Sequence, residues 1–294
     1  MLKLGFIGAG AVGTALSVRL SSKGYQVVAI SNRSQSSANN VARAIANFHP
    51  LCRVFDNNQG VADVADLIFI TTPDDAIAPS VSQIQWHSEQ SVVHCSGADS
   101  TEILEPARKA GAQVGGFHPL QTFASVEQAI ENIPGSTFAI EAQEPLLNVL
   151  KGMAIALDGH WIELKANDKV IYHAAAVIAC NYMVTLIKLA TDLWQSFNIP
   201  PQQATQALLP LLRGTIHNIE TVGIPQCLTG PIARGDTGTI EKHIEALQKA
   251  APSLLSTYKE LGLQTIPIAL EKGGINQQQE QELQTILKQA INTD

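Results

Sequence analysis

Charge is sparse in this chain: 15% of its 294 residues are Asp, Glu, Lys or Arg. The formal net charge is −7, and there is no basic run and no interleaving of basic with aromatic residues. Those absences argue against nucleic acid as the main partner. Cysteine is scarce too. Cys52, Cys95, Cys180 and Cys227 form no CxxC pair, and no His/Cys pair has zinc-ligand spacing. The expectation is four buried, reduced thiols, no metal site and no disulfide framework. No stretch of about 18 residues is uniformly apolar, so no membrane span is expected. The longest candidate, 170–193, contains His173, Asn181, Lys188 and Asp192. The chain opens directly on a strand pattern, which reads as a cytoplasmic protein without a signal peptide. No internal repeat stands out. The hydrophobic fraction of 45% over 294 residues is enough for two well-buried domains.

What is present starts at residue 3. Leu4-Gly5-Phe6-Ile7 runs into Gly8-Ala9-Gly10-Ala11-Val12-Gly13, and an apolar helix follows. A strand, a tight glycine turn and a helix form the dinucleotide-binding fingerprint in its required context. Gly8 permits the turn, Gly10 lets the backbone approach a pyrophosphate, and Gly13 lets the helix pack on the strand. The helix N-terminus offers free N–H groups and partial positive charge to the phosphates.

One absence here is informative. An NAD site places Asp or Glu at the end of the second strand, to accept from the ribose 2′-OH. This chain has Asn32, Arg33 and Ser34 there instead. A guanidinium binds a 2′-phosphate through its planar fork. The cofactor expected is NADP(H).

Short apolar runs at 4–7, 26–30, 52–55, 67–70, 91–95 and 113–117 alternate with helical patterns. They predict a mostly parallel, doubly wound α/β sheet, extended by strands at 137–140 and 160–164. From about Lys165 only helical periodicity remains. The expected domains are 1–164, cofactor-binding, and 165–294, all-helical and serving substrate binding and dimerisation. A helix is expected to run from a cap at Asn167 or Asp168 to about Phe197. A second covers 201–221 and is bent or split at Pro210. Further helices are expected at 239–250, 252–261 and 277–291, the last opening on an exposed Gln-rich stretch.

Ligands of open α/β sheets sit at the carboxyl ends of the strands. Three consecutive ends here carry polar residues: Thr71-Thr72-Pro73-Asp74-Asp75, His94-Cys95-Ser96-Gly97 and Phe117-His118-Pro119. Thr71, Thr72 and Pro73 are expected to line the cofactor. Asp74 and Asp75 either join them or cap the next helix. His118 can donate a proton near neutral pH. In the first late helix, His173 and Asn181 stand eight residues and about 12 Å apart on one face. They form either a satisfied buried pair or a substrate-lining set. Tyr172 and Tyr182 read as core or interface. In Thr229-Gly230-Pro231-Ile232-Ala233-Arg234-Gly235-Asp236, Arg234 either clamps a substrate carboxylate or pairs with Asp236 on the surface.

Together, Gly8-x-Gly10-x-x-Gly13, Gly116-Phe117-His118-Pro119-Leu120, His173-Ala174-Ala175-Ala176 with Asn181, and Thr229-Gly230-Pro231-x-x-Arg234-Gly235-Asp236 carry a resemblance. The chain resembles bacterial proteins that join a Rossmann-like domain to the domain of unknown function 2520. That architecture is similar to the 6-phosphogluconate dehydrogenase-like superfamily. The resemblance implies an NADP-binding domain, an all-helical C-terminal domain and a homodimer. Some members are alternative ketopantoate reductases. The common ketopantoate reductase has a catalytic Lys on the first C-terminal helix, followed by two Asn residues. Aligned on that helix, His173 takes the Lys position, Val177 the first Asn and Asn181 the second. The His-Pro segment is similar to prephenate dehydrogenases, and Asn32-Arg33-Ser34 to pyrroline-5-carboxylate reductases.

The reading is therefore an NADP(H)-dependent oxidoreductase that reduces a small 2-keto acid. His173 or His118 is the acid, Asn181 and Ser96 orient the carbonyl, and Arg234 holds the carboxylate. The alternatives are an imine reductase of the pyrroline-5-carboxylate type and a non-catalytic NADP(H)-binding regulator.

Overall fold

A computed structural model describes residues 2–49 and 51–289. The chain folds as two compact units, 1–180 and 181–294. The sequence pattern instead changes at 164/165, so the helix Lys169–Ala176 goes with the sheet.

The first unit is built on eight strands: β1 Lys3–Ile7, β2 Gln26–Ser31, β3 Arg53–Phe55, β4 Leu67–Ile70, β5 Ser91–His94, β6 Gln113–Leu120, β7 Thr137–Ala142 and β8 His160–Glu163. Their order is β3-β2-β1-β4-β5-β6-β7-β8. All neighbours are parallel except β6 and β7, which pair antiparallel. The apolar runs are explained by the two covered faces. In β4, Leu67 and Phe69 enter one core cluster while Ile68 and Ile70 enter the other. Successive side chains of a strand point to opposite faces, so a strand covered on both sides is apolar throughout. Phe6 stacks on Phe69 at 5.0 Å, and Phe117 on Phe138 at 4.5 Å. Each such ring contributes about 1.5–3 kcal/mol by leaving water.

The helix Ala11–Ser22 follows β1. It ends as Gly24 reaches φ +88, with Gly24 N bonded to Ser21 O and Tyr25 N to Leu20 O. That pair of bonds is a Schellman stop, which favours glycine at the left-handed position.

The second unit is helical: Tyr182–Leu193, Pro201–Val222, Thr237–Ala250, Leu255–Glu271 and Gln277–Lys288. Ile240, Ile266, Leu283 and Leu287 form its core. Asn276 and Gln279 form a reciprocal capping box, so the Gln-rich stretch is a helix start. Ile291, the expected end of that helix, lies outside the described residues. Pro210 does not split its helix, which is assigned without a break. The bond lost is to the Gln206 carbonyl, on an exposed turn that water can serve.

All four cysteines are half-buried, not buried as expected. Within Ala166–Phe197 an apolar window has mean hydropathy 1.8, which by length and composition alone is enough to cross a membrane.

Candidate active site

The glycine turn folds as its residues require. Gly8 has φ +113, and a Cβ there would lie 2.7 Å from the Thr71 carbonyl. A Cβ on Gly13 would run into Gly8 O. A Cβ on Gly10 would meet nothing within 4 Å. Two glycines are thus needed by the fold, and the third leaves open space for a ligand. Thr71 braces the turn from β4, its Oγ1 donating to Gly8 O at 2.8 Å. Asn32 braces it from β2, its Oδ1 accepting from Ala9 N at 3.2 Å.

Beside the turn lies a cleft of about 220 Å³, lined among others by Gly8, Gly10, Asn32, Arg33, Thr72 and Pro73. Arg33 is its one charged lining residue, exposed and without a protein hydrogen bond among the described residues. Thr72 Oγ1 is buried and has no protein partner. Buried polar groups are normally satisfied, so a ligand oxygen or water is its natural complement. The helix Ala11–Ser22 has no side-chain cap and no acidic residue in its first turn, which leaves its amides for an anion.

Not all expected cofactor residues face this cleft. Ala9, Ala11, Val12 and Gly13 contribute backbone and packing, and Ser34 caps the helix Gln35–Ala46 by accepting from Ser37 N. Ser31 and Asn58 line the cleft without having been singled out in the sequence, joined by a 2.8 Å bond from Ser31 Oγ to Asn58 Oδ1. Asp74 and Asp75 fill the first turn of the helix Asp74–Ser82 and do not cap it.

The second cluster stands further along the same sheet. His118 lies inside β6, not after it. The pairing with parallel β5 stops at His94↔Gly116, but antiparallel β7 carries β6 on to Leu120. His118 therefore projects beyond the carboxyl end of β5. There its Nδ1 shares a 2.8 Å hydrogen bond with Tyr172 Oη, and its ring meets His173 edge-on at 6.2 Å. Gly97 makes room for both imidazoles: a Cβ there would lie 2.6 Å from His173 Cδ2 and 2.9 Å from His118 Nε2. Tyr172, expected as core or interface, is half-buried and belongs to this set.

Ser96 is the node beneath. Its N–H donates to His94 Nδ1 at 3.2 Å, its carbonyl accepts from Lys169 Nζ at 2.9 Å, and its hydroxyl donates to Asp99 Oδ2 at 2.9 Å. Every polar atom of Ser96 is thus engaged within the protein. Lys169, which the sequence reading did not single out, is 1% exposed. Its position was readable: Lys169, Tyr172 and His173 are spaced i, i+3, i+4 and share a helix face.

Burial, then the Lys169 charge, push the His94 imidazole down to about 3 and that of His118 to about 4. Burial raises the Tyr172 hydroxyl to about 12. Near neutral pH, therefore, His94 and His118 are uncharged and Tyr172 keeps its proton. Among the described residues, no three of His, Cys, Asp and Glu are arranged to hold a metal ion.

Asn181 and Arg234 lie in the second unit, both exposed. Between His173 and Asn181 the helix passes through a π turn, Val177–Asn181. Arg234 ends a 3₁₀ turn, Ile232–Arg234, and Asp236 caps the helix Thr237–Ala250 by accepting from Thr239 N and Oγ1.

Sheet order, glycine turn and strand-end cleft define a Rossmann-type nucleotide-binding unit followed by a helical one. The chain matches the model of a Rossmann-like domain over residues 1–119 and that of the domain of unknown function 2520 over 136–265. It has that two-part architecture. No curated protein sequence matches it. Solved structures share its fold. A candidate NADP oxidoreductase from Bacteroides fragilis is 24% identical, with TM-score 0.71 over 90% of this chain and 98% of that one. A reductive aminase from Aspergillus terreus, solved with NADPH and ethyl levulinate, is 15% identical, with TM-score 0.66 over 98% of each chain. A Plasmodium falciparum pyrroline carboxylate reductase with NADP bound is 15% identical, with TM-score 0.58 over 98% of each chain.

Proposed function

We propose that this chain is an NADP(H)-dependent oxidoreductase that reduces the carbonyl of a small 2-keto acid, with ketopantoate the first compound to test. One observation carries the reading. A cleft suited to a dinucleotide and a cluster of two imidazoles and a phenol occupy the carboxyl ends of parallel strands of one sheet, within one compact unit. When bound, NADPH supplies the hydride. Gly10 and the first-turn amides of Ala11–Ser22 would take the pyrophosphate, Thr72 Oγ1 a nearby oxygen, and Arg33 a 2′-phosphate.

The protein's own task is to orient a carbonyl and deliver a proton to its oxygen. We assign Tyr172 as donor to His118 Nδ1, which puts the proton of the neutral imidazole on Nε2, beside Gly97. As that proton passes to the reacting oxygen, Tyr172 gives its own proton to Nδ1, so the ring stays neutral, and the phenolate regains a proton from solvent. His173 shares the space over Gly97 and is placed to hold the substrate or assist. The engaged hydroxyl of Ser96 fits a supporting role better than a contact with substrate.

The test is NADPH oxidation by the purified chain with ketopantoate, other 2-keto acids and cyclic imines. A saturable rate is expected with a keto acid. His118→Ala is expected to lower that rate by about 100-fold or more while NADPH affinity stays within about twofold. Equal loss of turnover and NADPH affinity contradicts the assignment of His118. Tight NADPH binding with no turnover on any compound favours the regulatory reading.

A further inference from the structure

We infer that Lys169 is a positioning residue whose buried ammonium fixes His118 as a neutral hydrogen-bond donor, so that the site suits a ketone, which gains negative charge on reduction, over an iminium ion, which carries positive charge. The substrate clause rests on the function proposed above; the charge clause does not.

The geometry is short-range. Lys169 Nζ donates to the carbonyl of Ser96, and His118 Nε2 lies 2.9 Å from where a Cβ on Gly97, the next residue, would stand. The ammonium and the imidazole thus flank one peptide link. Nζ also lies 3.3 Å, and His94 Nε2 3.4 Å, from where a Gly116 Cβ would stand. Gly116 precedes Phe117 and His118 on β6, so the missing side chain admits the cation behind the strand that carries His118. His94 accepts from Ser96 N through Nδ1, which places its own proton on Nε2, and that N–H has no partner. It cannot relieve the positive charge beside it.

The charged groups around this core act from every neighbouring element. Burial pulls Lys169 below its ordinary value; Glu141 from β7, Asp99 from the segment after β5 and Asp74 from the helix after β4 oppose that and favour the ammonium, while the Cys95 thiol, pushed up to about 12 by burial, stays neutral near pH 7. Burial lowers His118 most, Lys169 and then His173 lower it further, and it interacts with His94 across the strand pair, while Tyr172 bonds its Nδ1. Among the described residues no carboxylate is hydrogen-bonded to His118. The nearby Glu141 carboxylate is engaged by Thr101, from both N–H and Oγ1. A second positive charge on His118 is therefore opposed, and so is one on a substrate held against it. A developing alkoxide meets both the Nε2 proton and the field of the ammonium.

The test is a pH titration of ¹³C-labelled histidine rings by NMR, on the full chain without cofactor or substrate. The native His118 ring is expected to stay neutral down to about pH 5. In Lys169→Met its midpoint is expected to rise by about one pH unit or more, and in Lys169→Arg to stay low. An unchanged midpoint in folded Lys169→Met overturns the charge clause. If that variant does not fold, the Lys169 Cε and Nζ resonances of the native chain decide. An ammonium at pH 7 supports the clause and a neutral amine overturns it. The substrate clause is read from turnover. Lys169→Met is expected to lower the ratio of ketone to cyclic-imine reduction by about tenfold or more, and an unchanged ratio overturns it. Absence of all turnover in the native chain defeats the proposed function and the substrate clause together, while the ring titration still decides the charge clause.

Discussion

The cleft at Gly8 and the cluster at Gly97 sit on one sheet, at the ends of parallel strands, yet they are built from opposite materials. The cleft uses backbone amides, glycines and small hydroxyl side chains, with one exposed arginine. The cluster uses side chains that titrate, most of them out of water: His94, His118, Tyr172 and Lys169. A nucleotide carries its own fixed charge, so its site needs shape and donors. A proton-delivering site needs groups held in one protonation state, which takes burial and neighbouring charge. The two regions should accordingly fail under different insults.

Acid separates them most widely. His94 and His118 have folded-state values near 3 and 4, against about 6.5 in an unfolded chain. Below pH 6.5 the unfolded chain therefore binds more protons than the folded one. Stability is full above that pH and is lost as pH falls toward the folded values. By pH 5, still above most carboxylate titration, each ring is expected to remove about 2 kcal/mol. Urea midpoints measured from pH 7.5 to 5 check this. A flat profile over that range breaks the contrast, because it leaves the cluster no more pH-sensitive than the cleft.

Within the cleft, the glycines divide by role. Gly8→Ala puts a side chain at φ +113 and against the Thr71 backbone. The expected cost is about 3 kcal/mol of stability, seen in thermal unfolding without cofactor. Gly10→Ala meets no protein atom within 4 Å. It is expected to change stability by less than about 0.5 kcal/mol. A large loss for Gly10→Ala would make that glycine part of the fold and not of the ligand's space.

Legibility in the sequence follows the same division. The cleft's motif is local: Gly8, Gly10 and Gly13 lie in six residues, and strand, turn and helix follow from their order. The parallel core was readable because both faces of β4 and β5 are covered. The cluster comes from distant parts of the chain. That β6 continues through His118 depends on an antiparallel partner, β7, which the apolar run at 113–117 does not announce. Lys169 resembles an ordinary solvated charge until the helix is laid against Ser96, even though its spacing from Tyr172 and His173 marks a common face. The π turn at Val177–Asn181 has neither proline nor glycine to signal it. Thr71 and Asn32, expected to touch the cofactor, line the cleft and also brace the turn that would hold it.

The smallest expected effect is also the most selective. Arg33 is the one charge in a cleft that otherwise works by shape, and no acidic residue stands with it at the end of β2. If its guanidinium takes a 2′-phosphate, Arg33→Ala removes charge-assisted hydrogen bonds of about 1.5–3 kcal/mol. NADPH affinity is then expected to fall by about 10- to 100-fold, while NADH, which has no such phosphate, binds as before. Because Arg33 is exposed, added salt is expected to narrow the difference. The His118 ring, set by buried charge, is expected to ignore both the substitution and the salt. Titration calorimetry with each cofactor at two ionic strengths reads all of this in one variant. Equal loss of NADPH and NADH affinity would move Arg33 from the 2′-phosphate to a part of the nucleotide that both cofactors share.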